Sequence, residues 1–200
     1  FIEHPTTTKS YTSSTNFMKP IRLAAIGVQC DEKNSYKIEE VAEFNYDLIR
    51  EGQIEISTIG RLEYEHNTKV LVNHVGLQYN DYFIPSREFQ RLTLEQHYLM
   101  LFFGKEYDLK TSGVFFEAIN YQKPILAIRC NLVNFYFDKF GNIGHLYNDI
   151  NEMKEGVRRI SIQLDLDLYN QQVHNLGVVK KVLGQKYFYR EIQQLLGAKE

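Results

Sequence analysis

The segment from Tyr98 to Ile128, YLMLFFGKEYDLKTSGVFFEAINYQKPILAI, restricts the fold of this chain more than any other part of it. It opens with an apolar run, Tyr98–Phe103, and closes with another that follows Lys123 and Pro124. Short apolar runs without polar alternation are typical of parallel strands that helices cover on both faces of a sheet. The segment therefore predicts two parallel strands joined by a helical crossover.

The helix between these strands is predicted to begin at Thr111, Ser112 and Gly113. The first turn of a helix carries backbone N–H groups without intrahelical partners and the positive end of the helix dipole, and both suit a phosphate. Glu117 follows one turn later and offers a carboxylate that accepts hydrogen bonds from hydroxyl groups. Phosphate and polyol together predict a nucleotide or a nucleotide sugar as the ligand.

Strands and helices also alternate along the rest of the chain. Further strands are predicted at Ile21–Ile26, Ile54–Ile59 and Val75–Tyr79. Helices are predicted at Ile38–Arg50, Arg61–Asn73, Arg87–Gln96 (with Ser86 as N-cap), near Phe135, and at Asn151–Ile160, Asp165–Asn175 and Val178–Leu196, while Gly141–Gly144 is rich in turn residues. This alternation implies βαβ units with parallel pairing and right-handed crossovers. The predicted fold class is α/β, a doubly wound, Rossmann-like parallel sheet.

Composition narrows the functional classes. Two hundred residues with 44% apolar content suffice for one core, and a net charge of −2 creates no field that attracts nucleic acid. No apolar run approaches the roughly 20 residues that a bilayer requires, and no signal peptide is recognisable, so we expect a cytoplasmic protein. Cys30 and Cys130 are expected to be reduced thiols rather than a disulfide framework.

The first 19 residues differ from the rest of the chain. They are rich in hydroxyl side chains and lack periodicity, which is typical of a linker, and the chain begins with Phe1 rather than Met. We interpret residues 1–19 as a linker from a missing N-terminal domain and residues 20–200 as one folded domain with C-terminal helices. A processed mature N-terminus is the alternative interpretation.

The loops after the strands are the candidate binding segments, because ligands of such sheets bind beyond the carboxyl ends of the strands. These loops supply four cations as partners for a diphosphate, although each taken alone is more typical of a solvated surface charge: Lys33, Lys105, Lys110 and Arg129. The chain has no GxxxxGK[ST] motif, and no GxGxxG follows the first strand, which disfavours ATP hydrolysis and ordinary NAD binding.

The sequence gives no reason to assign a metal or a hydrolytic triad. The six histidines show neither HxxxH nor HxH spacing nor a Cys/His ligand pattern: His4, His66, His74, His97, His145 and His174. Metal sites in proteins usually show such spacings, so no metal is expected. The GxSxG motif of serine hydrolases is absent as well.

The stretch SGVFFEAINYQKPILAI resembles the donor-binding C-terminal half of GT-B glycosyltransferases, near the family-4 and family-1-like groups. In that family Ser-Gly-x-x-x-Glu-Ala, followed by Lys-Pro and an apolar strand, marks the nucleotide-sugar site. Other segments resemble family segments in the expected order: Ile2–Pro5, Gly27 with Lys33-Asn34, Ile54–Gly60, Tyr82–Ser86 and Gly141–Asp149. The resemblance covers about residues 20–160 and implies the C-terminal half of a GT-B fold.

The resemblance also implies roles for single residues. Glu117 would accept the ribose hydroxyls, and Thr111, Ser112 and Gly113 would donate to the diphosphate. Lys33 and Lys110 would neutralise phosphate charge. The segment from Tyr82 to Ile84 would contact the base through backbone groups and an apolar wall. Simple N-capping at Ser112 and core packing at Ile84 remain alternative explanations of the same residues.

Two positions depart from the family pattern. Many retaining members carry a second glutamate eight positions before the Glu-Ala glutamate, where this chain has Leu109. A basic residue often occupies the first-strand loop where this chain has Gln29. We therefore expect the part of the site that handles the sugar to differ from that of better-known members.

The resemblance implies the donor-binding domain of a glycosyltransferase that moves a sugar from a nucleotide diphosphate sugar to a glycan or lipid-linked acceptor. The substrate would be a UDP- or GDP-sugar, with no separate cofactor, and the missing N-terminal domain would bind the acceptor and could dock on the inner face of the membrane. Polysaccharide biosynthesis is the expected process. A nucleotide-sugar epimerase of the same architecture and a non-catalytic α/β interaction module are the alternatives.

Overall fold

A parallel sheet forms the centre of the computed structural model, which describes residues 19–63, 71–78, 83–108, 110–184 and 193. Its strands are β1 (Ile21–Ile26), β2 (Ile54–Ile59), β3 (Asn73–His74), β4 (Tyr98–Leu101), β5 (Ile125–Ile128) and β6 (Gly144–Tyr147). The helices are α1 (Lys37–Phe44), α2 (Tyr46–Arg50), α3 (Ser86–Leu94), α4 (Gly113–Tyr121), α5 (Asn131–Phe140), α6 (Ile150–Ile162) and α7 (Leu166–Val182). None of the helices in these residues combines the length and apolar content needed to cross a membrane.

The strand order is β3-β2-β1-β4-β5-β6, and every neighbouring pair is parallel. The chain first builds outward from β1 through β2 to β3, then returns to the other side of β1 and builds outward through β4, β5 and β6. The predicted doubly wound, Rossmann-like sheet is confirmed. The direction of winding reverses between β1 and β4, and such a reversal opens a crevice at the carboxyl ends of the two strands.

Two apolar layers cover the two faces of the sheet, because alternate residues of each strand point to opposite sides. One layer joins Leu23, Ile56 and Met100 to α1 and α6, and the other joins Ile26 and Leu101 to α4, α5 and α7. The predicted run Tyr98–Phe103 is buried throughout, although its strand pairing ends at Leu101. Burial on both faces explains why the strands read as uninterrupted apolar runs.

The prediction of a strand at Val75–Tyr79 is wrong within the described residues. The strand β3 lies just before it, and Val75–Gln78 forms a 3-10 turn. A partly buried chain of hydrogen bonds fixes this short strand, since the His74 Nδ1 atom lies 2.9 Å from the Thr58 hydroxyl and Nε2 lies 3.1 Å from a Glu39 carboxylate oxygen. This chain ties β3 to both β2 and α1.

The helix predicted at Arg61–Asn73 is also wrong at both of its described ends. Leu62 forms an isolated parallel bridge with Gln29, and Asn73 belongs to β3. Residues 64–70 between them lie outside the described residues. The parallel bridge extends the β1–β2 pairing beyond the strands, and that pairing prevents a helix from starting at Arg61.

Several predicted helices differ at their boundaries or continuity. Ile38–Arg50 is divided at Asn45 into α1 and α2, and the N-cap of α3 is Pro85, so Ser86 is the first helical residue rather than the cap. The two predicted C-terminal helices are one helix, α7, up to Val182, and residues 185–192 lie outside the described part. The strand β6 was not predicted, and it begins at Gly144, the last residue of the turn-rich segment. The predicted linker, residues 1–19, lies outside the described residues except for Lys19.

Candidate functional site

The crevice between β1 and β4 is bounded by the loop after β1 and the loop that leads from β4 into α4. The Asn34 side chain donates a hydrogen bond to the Phe102 carbonyl oxygen over 3.3 Å and joins the two loops. A shallow cleft, about 230 Å³ with the open space at its mouth included, lies here and is lined by residues from both strands and loops, among them Gln29, Lys33, Phe103 and Val114. This is the place where a doubly wound sheet binds its ligand.

Three glycines bring the backbones beside this crevice into close contact. A Cβ atom at Gly60 would overlap the carbonyl oxygen of Gly27, and one at Gly76 would overlap the carbonyl oxygen of Gly60. Gly27 and Gly60 also adopt φ angles of 77° and 141°, which L side chains rarely adopt. A Cβ atom at Gly27 would lie 3.1 Å from the Val114 side chain, so the glycines hold the loop after β1 against the first turn of α4.

The N-terminus of α4 faces this loop. Ser112 is the N-cap in an extended conformation and is buried, while Thr111 and Gly113 beside it are exposed. The Ser112 side chain does not cap the helix, and a Cβ atom at Gly113 would meet nothing within 4 Å. The predicted helix start is confirmed. Open space lies beside Gly113 in the first turn, where the helix dipole favours an anion.

Glu117 lies one turn further along α4 and is half-buried. Burial raises the pKa of its carboxyl group, and a hydrogen bond with the Asn120 side chain partly offsets this rise. A half-buried carboxylate next to an open helix N-terminus can accept hydrogen bonds from ligand hydroxyls while the helix binds an anion. The structure therefore places Glu117 and the Thr111–Gly113 segment in one neighbourhood.

The predicted cations lie on the loops of this end of the sheet, and three of them have partners among the described residues. Lys110 forms an ion pair with Glu32, which connects the β4–α4 loop to the loop after β1. The Lys33 ammonium donates to the Val28 carbonyl oxygen of its own loop over 2.8 Å. Arg129 is exposed and donates to the Asn134 side-chain oxygen over 3.5 Å, and Lys105 is exposed as well. A diphosphate would have to draw Lys33 and Lys110 away from these partners.

The predicted base-contact segment is only partly described. Tyr82 lies outside the described residues, as does Leu109, the position of the missing second glutamate. Ile84 is buried and packs into the core layer of α4, whereas the neighbouring Phe83 is 71% exposed. Core packing thus accounts for Ile84, and Phe83 is the described aromatic side chain of this segment that a ligand could reach.

Sequence reasoning missed two features of the site. Gln29 occupies the position of the family's basic residue, yet it is buried and its amide donates to the Gly27 carbonyl oxygen over 3.0 Å, so it shapes the loop. Buried Phe103 and Tyr107 stack with ring centroids 4.1 Å apart and give the loop after β4 a fixed base. The glycines that end the first two strands, Gly27 and Gly60, were the available signal for the close packing of the loops.

Among the described residues no group of three or more His, Cys, Asp or Glu side chains is arranged to hold a metal ion. Cys30 and Cys130 are both free thiols, in the loops after β1 and β5. The chemistry available at the crevice therefore consists of a helix N-terminus, loop cations and one half-buried carboxylate.

No protein-family model and no curated protein matches this sequence. Solved structures match its fold. The crystal structure of TarM aligns with 95% of this chain and 37% of its own at 12% identity and a TM-score of 0.57. A mutant of S. aureus TarM, in complex with fondaparinux, alpha-GlcNAc-glycerol and UDP, aligns with 94% of this chain and 38% of its own at 12% identity and a TM-score of 0.58.

A third solved structure has nearly the same extent as this chain. The C-terminal domain of a glycosyl transferase group 1 family protein, LpcC, from Francisella tularensis aligns with 80% of this chain and 85% of its own at 13% identity and a TM-score of 0.55. This chain spans little more than a third of the TarM chain. The likeness confirms the predicted fold, that of the C-terminal half of GT-B glycosyltransferases.

Proposed function

We propose that this chain is the donor-binding domain of a GT-B glycosyltransferase, which transfers a sugar from a nucleotide diphosphate sugar to an acceptor. The observation that carries the proposal is the uncapped N-terminus of α4 at the β1/β4 reversal, with Glu117 one turn behind it. The likeness to TarM, one of whose structures was solved with UDP, and to LpcC supports it.

The diphosphate would bind at the first turn of α4. The backbone N–H groups that follow Ser112, with the Thr111 hydroxyl, would donate to the phosphate oxygens, and Lys110 and Lys33 would turn toward the added negative charge. Glu117 would accept hydrogen bonds from the ribose hydroxyls. The base would lie toward the segment that contains Tyr82 and Ile84, with Phe83 as an exposed apolar wall.

Catalysis would use this arrangement to stabilise the leaving group. As the bond between the sugar and the diphosphate breaks, negative charge develops on the diphosphate, and the fixed dipole of α4 with the loop cations stabilises that charge. The acceptor, a glycan or a lipid-linked molecule, would bind to an N-terminal domain that precedes residue 1. Action in the cytoplasm at the inner face of the membrane, in polysaccharide biosynthesis, is part of this proposal.

Calorimetric titration of UDP and GDP into the 200-residue chain tests the site. We expect weak, saturable binding of one of them, and Glu117→Ala to weaken it roughly tenfold or more through loss of a charged acceptor. Binding should also weaken as the pH falls through the raised pKa of Glu117, because protonation removes the acceptor. Glu43→Ala, at an exposed carboxylate on α1, is the matched control and should bind as the wild type does.

Two outcomes would reject the site or the reaction. Absence of nucleotide binding, or equal binding by Glu117→Ala and the wild type, rejects the site and favours the non-catalytic interaction module. Turnover assays with the full-length protein separate transferase from epimerase. A transferase consumes the donor and releases nucleotide in proportion to acceptor, whereas an epimerase converts the nucleotide sugar without any acceptor.

A further inference from the structure

A second cavity lies at the opposite end of the sheet from the proposed nucleotide site. It has a volume of about 520 Å³ including its mouth, and it lies between the start of β4, the strand β6, the C-terminal half of α6 and the start of α7. Tyr98, His145 and Tyr147 form its sheet side, and the helices supply Arg159, Gln163 and Asp165 together with aliphatic side chains. The proposed transfer reaction uses none of these residues.

The cavity contains a buried hydroxyl without a partner. Tyr147 is 4% exposed, and among the described residues its hydroxyl oxygen has no hydrogen-bond partner. A Cβ atom at Gly156 would overlap the end of the Tyr147 ring, so the glycine makes room for the ring against α6. Buried hydroxyl groups normally have a partner, and an unmade hydrogen bond is costly. The Tyr147 hydroxyl therefore still has a hydrogen bond to donate.

A cation lies beside this hydroxyl. The positive charge of Arg159 acts on both Tyr147 and His145. The Arg159 side chain is exposed and forms no hydrogen bond or ion pair with any described residue. Its sequence neighbour Arg158 faces away and pairs with Asp47 of α2 at 2.9 Å. Burial lowers the pKa of His145, and Arg159 lowers it further, so this ring is neutral at neutral pH and offers one N–H group.

The charged groups and the apolar lining of the cavity determine which anions it can bind. A guanidinium, a phenol and an imidazole N–H are all donors, and together they match the oxygens of a carboxylate or phosphate. Asp165, at the edge of the cavity, keeps its carboxylate on the Leu168 N–H at 2.9 Å and disfavours a second negative charge. Ile160, Leu164 and Leu168 provide apolar surface for the rest of the ligand.

We propose that this cavity binds a small organic carboxylate, whose oxygens pair with Arg159 and the Tyr147 hydroxyl and whose apolar body packs between α6 and the sheet. The site is independent of the crevice between β1 and β4. Phosphate monoesters share the donor requirements but carry the extra charge that Asp165 opposes, so they should bind more weakly than carboxylates.

Benzoate is the probe that tests the proposal, with phenyl phosphate and the neutral benzyl alcohol as comparisons. Titrated into the 200-residue chain, benzoate should shift amide resonances of α6 and β6 in a saturable way in two-dimensional NMR spectra. Phenyl phosphate should bind several-fold more weakly and benzyl alcohol at least about tenfold more weakly, because it lacks the charge. Equal shifts with benzyl alcohol, or no saturable shift with benzoate, would overturn the proposal and leave a cavity that holds water.

Substitutions of single residues in the cavity test where benzoate binds. Arg159→Gln and Tyr147→Phe should each weaken benzoate about tenfold, since each removes one donor to a charged acceptor. Arg158→Gln, which removes the neighbouring arginine outside the cavity, is the matched control and should leave benzoate binding unchanged. Tyr147→Phe keeps the ring and removes only the unpaired hydroxyl, so its thermal stability should not fall. Equal benzoate affinity in Arg159→Gln, Arg158→Gln and wild type would overturn the assignment.

A competition experiment separates this site from the nucleotide site. Benzoate should bind with the same affinity to Glu117→Ala as to the wild type, and saturating UDP should not displace it. If benzoate binding were lost together with UDP binding, the two ligands would share one site and the second site would not exist. If UDP failed to bind at all, the benzoate result would still stand, because none of its contacts involves the β1/β4 crevice.

Discussion

The two ends of the sheet carry their polar groups in opposite ways. At the carboxyl end, exposed loop residues such as Lys105, Lys110 and Thr111 surround an uncapped helix. At the amino end several polar groups are buried, and three glutamines each have a side-chain oxygen without a partner among the described residues: Gln53, Gln96 and Gln172. The polar groups of the carboxyl end are thus mostly exposed on loops, whereas the amino end also encloses polar side chains within the packing.

This difference separates the residues that bind ligands from the residues that stabilise the fold. A loop cation on the carboxyl end changes a ligand's affinity, while its removal costs the fold little. A buried polar group at the amino end contributes to the free energy of unfolding in either direction, depending on whether it is paired. The backbone beneath the loops is the exception at the carboxyl end, because the glycine contacts there leave no free volume.

The largest effect should come from Gly60→Ala. The new methyl group would overlap the Gly27 carbonyl oxygen, and neither backbone can move without disturbing β1 or β2. We expect the free energy of unfolding to fall by about 3 kcal/mol or more, which is typical of overpacking against a rigid backbone. Urea denaturation measures this change.

Gly113→Ala is the matched control for that experiment. Its methyl group would meet nothing within 4 Å, and alanine is the better helix former, so the change should be neutral or stabilising by up to about 1 kcal/mol. If Gly60→Ala were as stable as Gly113→Ala, the close packing of the carboxyl-end loops would be refuted and the contrast between loops and backbone would disappear.

The next largest effect is a pH dependence of the free energy of unfolding, caused by a buried lysine at the amino end of the sheet. Lys123 is 2% exposed just before β5, and its ammonium donates to the Leu94 carbonyl oxygen at 2.7 Å. Burial lowers the pKa of Lys123 from 10.5 to about 8, so between these values the unfolded chain binds more protons and stability rises with pH. From about pH 7 to pH 10 the wild type should gain on the order of 2 kcal/mol relative to Lys123→Met.

Urea denaturation at several pH values measures this gain, since titrations shared by both proteins cancel in the difference. Lys105→Met, at an exposed lysine of the carboxyl end, should show the same pH dependence as the wild type. A constant difference between wild type and Lys123→Met across this pH range would contradict the burial of the charge.

The smallest effect concerns the Glu32–Lys110 ion pair across the crevice. Glu32→Gln releases Lys110 for a diphosphate and should strengthen UDP binding by about threefold, while stability is unchanged because the pair is exposed. The hydrogen bond from Lys110 lowers the pKa of Glu32, so the advantage over the wild type should shrink as acid protonates Glu32. Calorimetric titration measures it, and Glu43→Gln is the control. Weaker UDP binding by Glu32→Gln would show that the pair supports the site.

The contrast between the two ends of the sheet also explains which features can be predicted from the sequence. The helix N-terminus at the carboxyl end comes from one contiguous segment, so the sequence alone predicts that Thr111, Ser112, Gly113 and Glu117 lie together. The cavity at the amino end is assembled from β4, β6, α6 and α7, and no local pattern joins Tyr147 to Arg159. The exposed polar loops leave a local signature, whereas the enclosed polar groups depend on long-range packing.

The errors in the predicted elements have the same origin. β3 has only two residues, and its hydrogen bonds to Thr58 and Glu39 come from distant segments, so propensity pointed to Val75–Tyr79 instead. β6 begins with Gly144 and His145 after turn residues, and its pairing with β5 overrides that local preference. α7 continues through Gly177, where a Cβ atom would lie 2.7 Å from the Gln122 amide, so the glycine serves close packing rather than helix termination.

The course of α7 has a consequence for how the domain melts. Its first turns lie in the apolar layer of α1 and α6, where the Tyr169 hydroxyl donates to the His97 carbonyl oxygen, and its later turns carry Leu176 and Val179 into the opposite layer. The helix α7 is thus continuous, and its residues pack into both layers of the core. Because neither layer can open without releasing α7, we expect the two layers of the core to unfold together in a single cooperative transition.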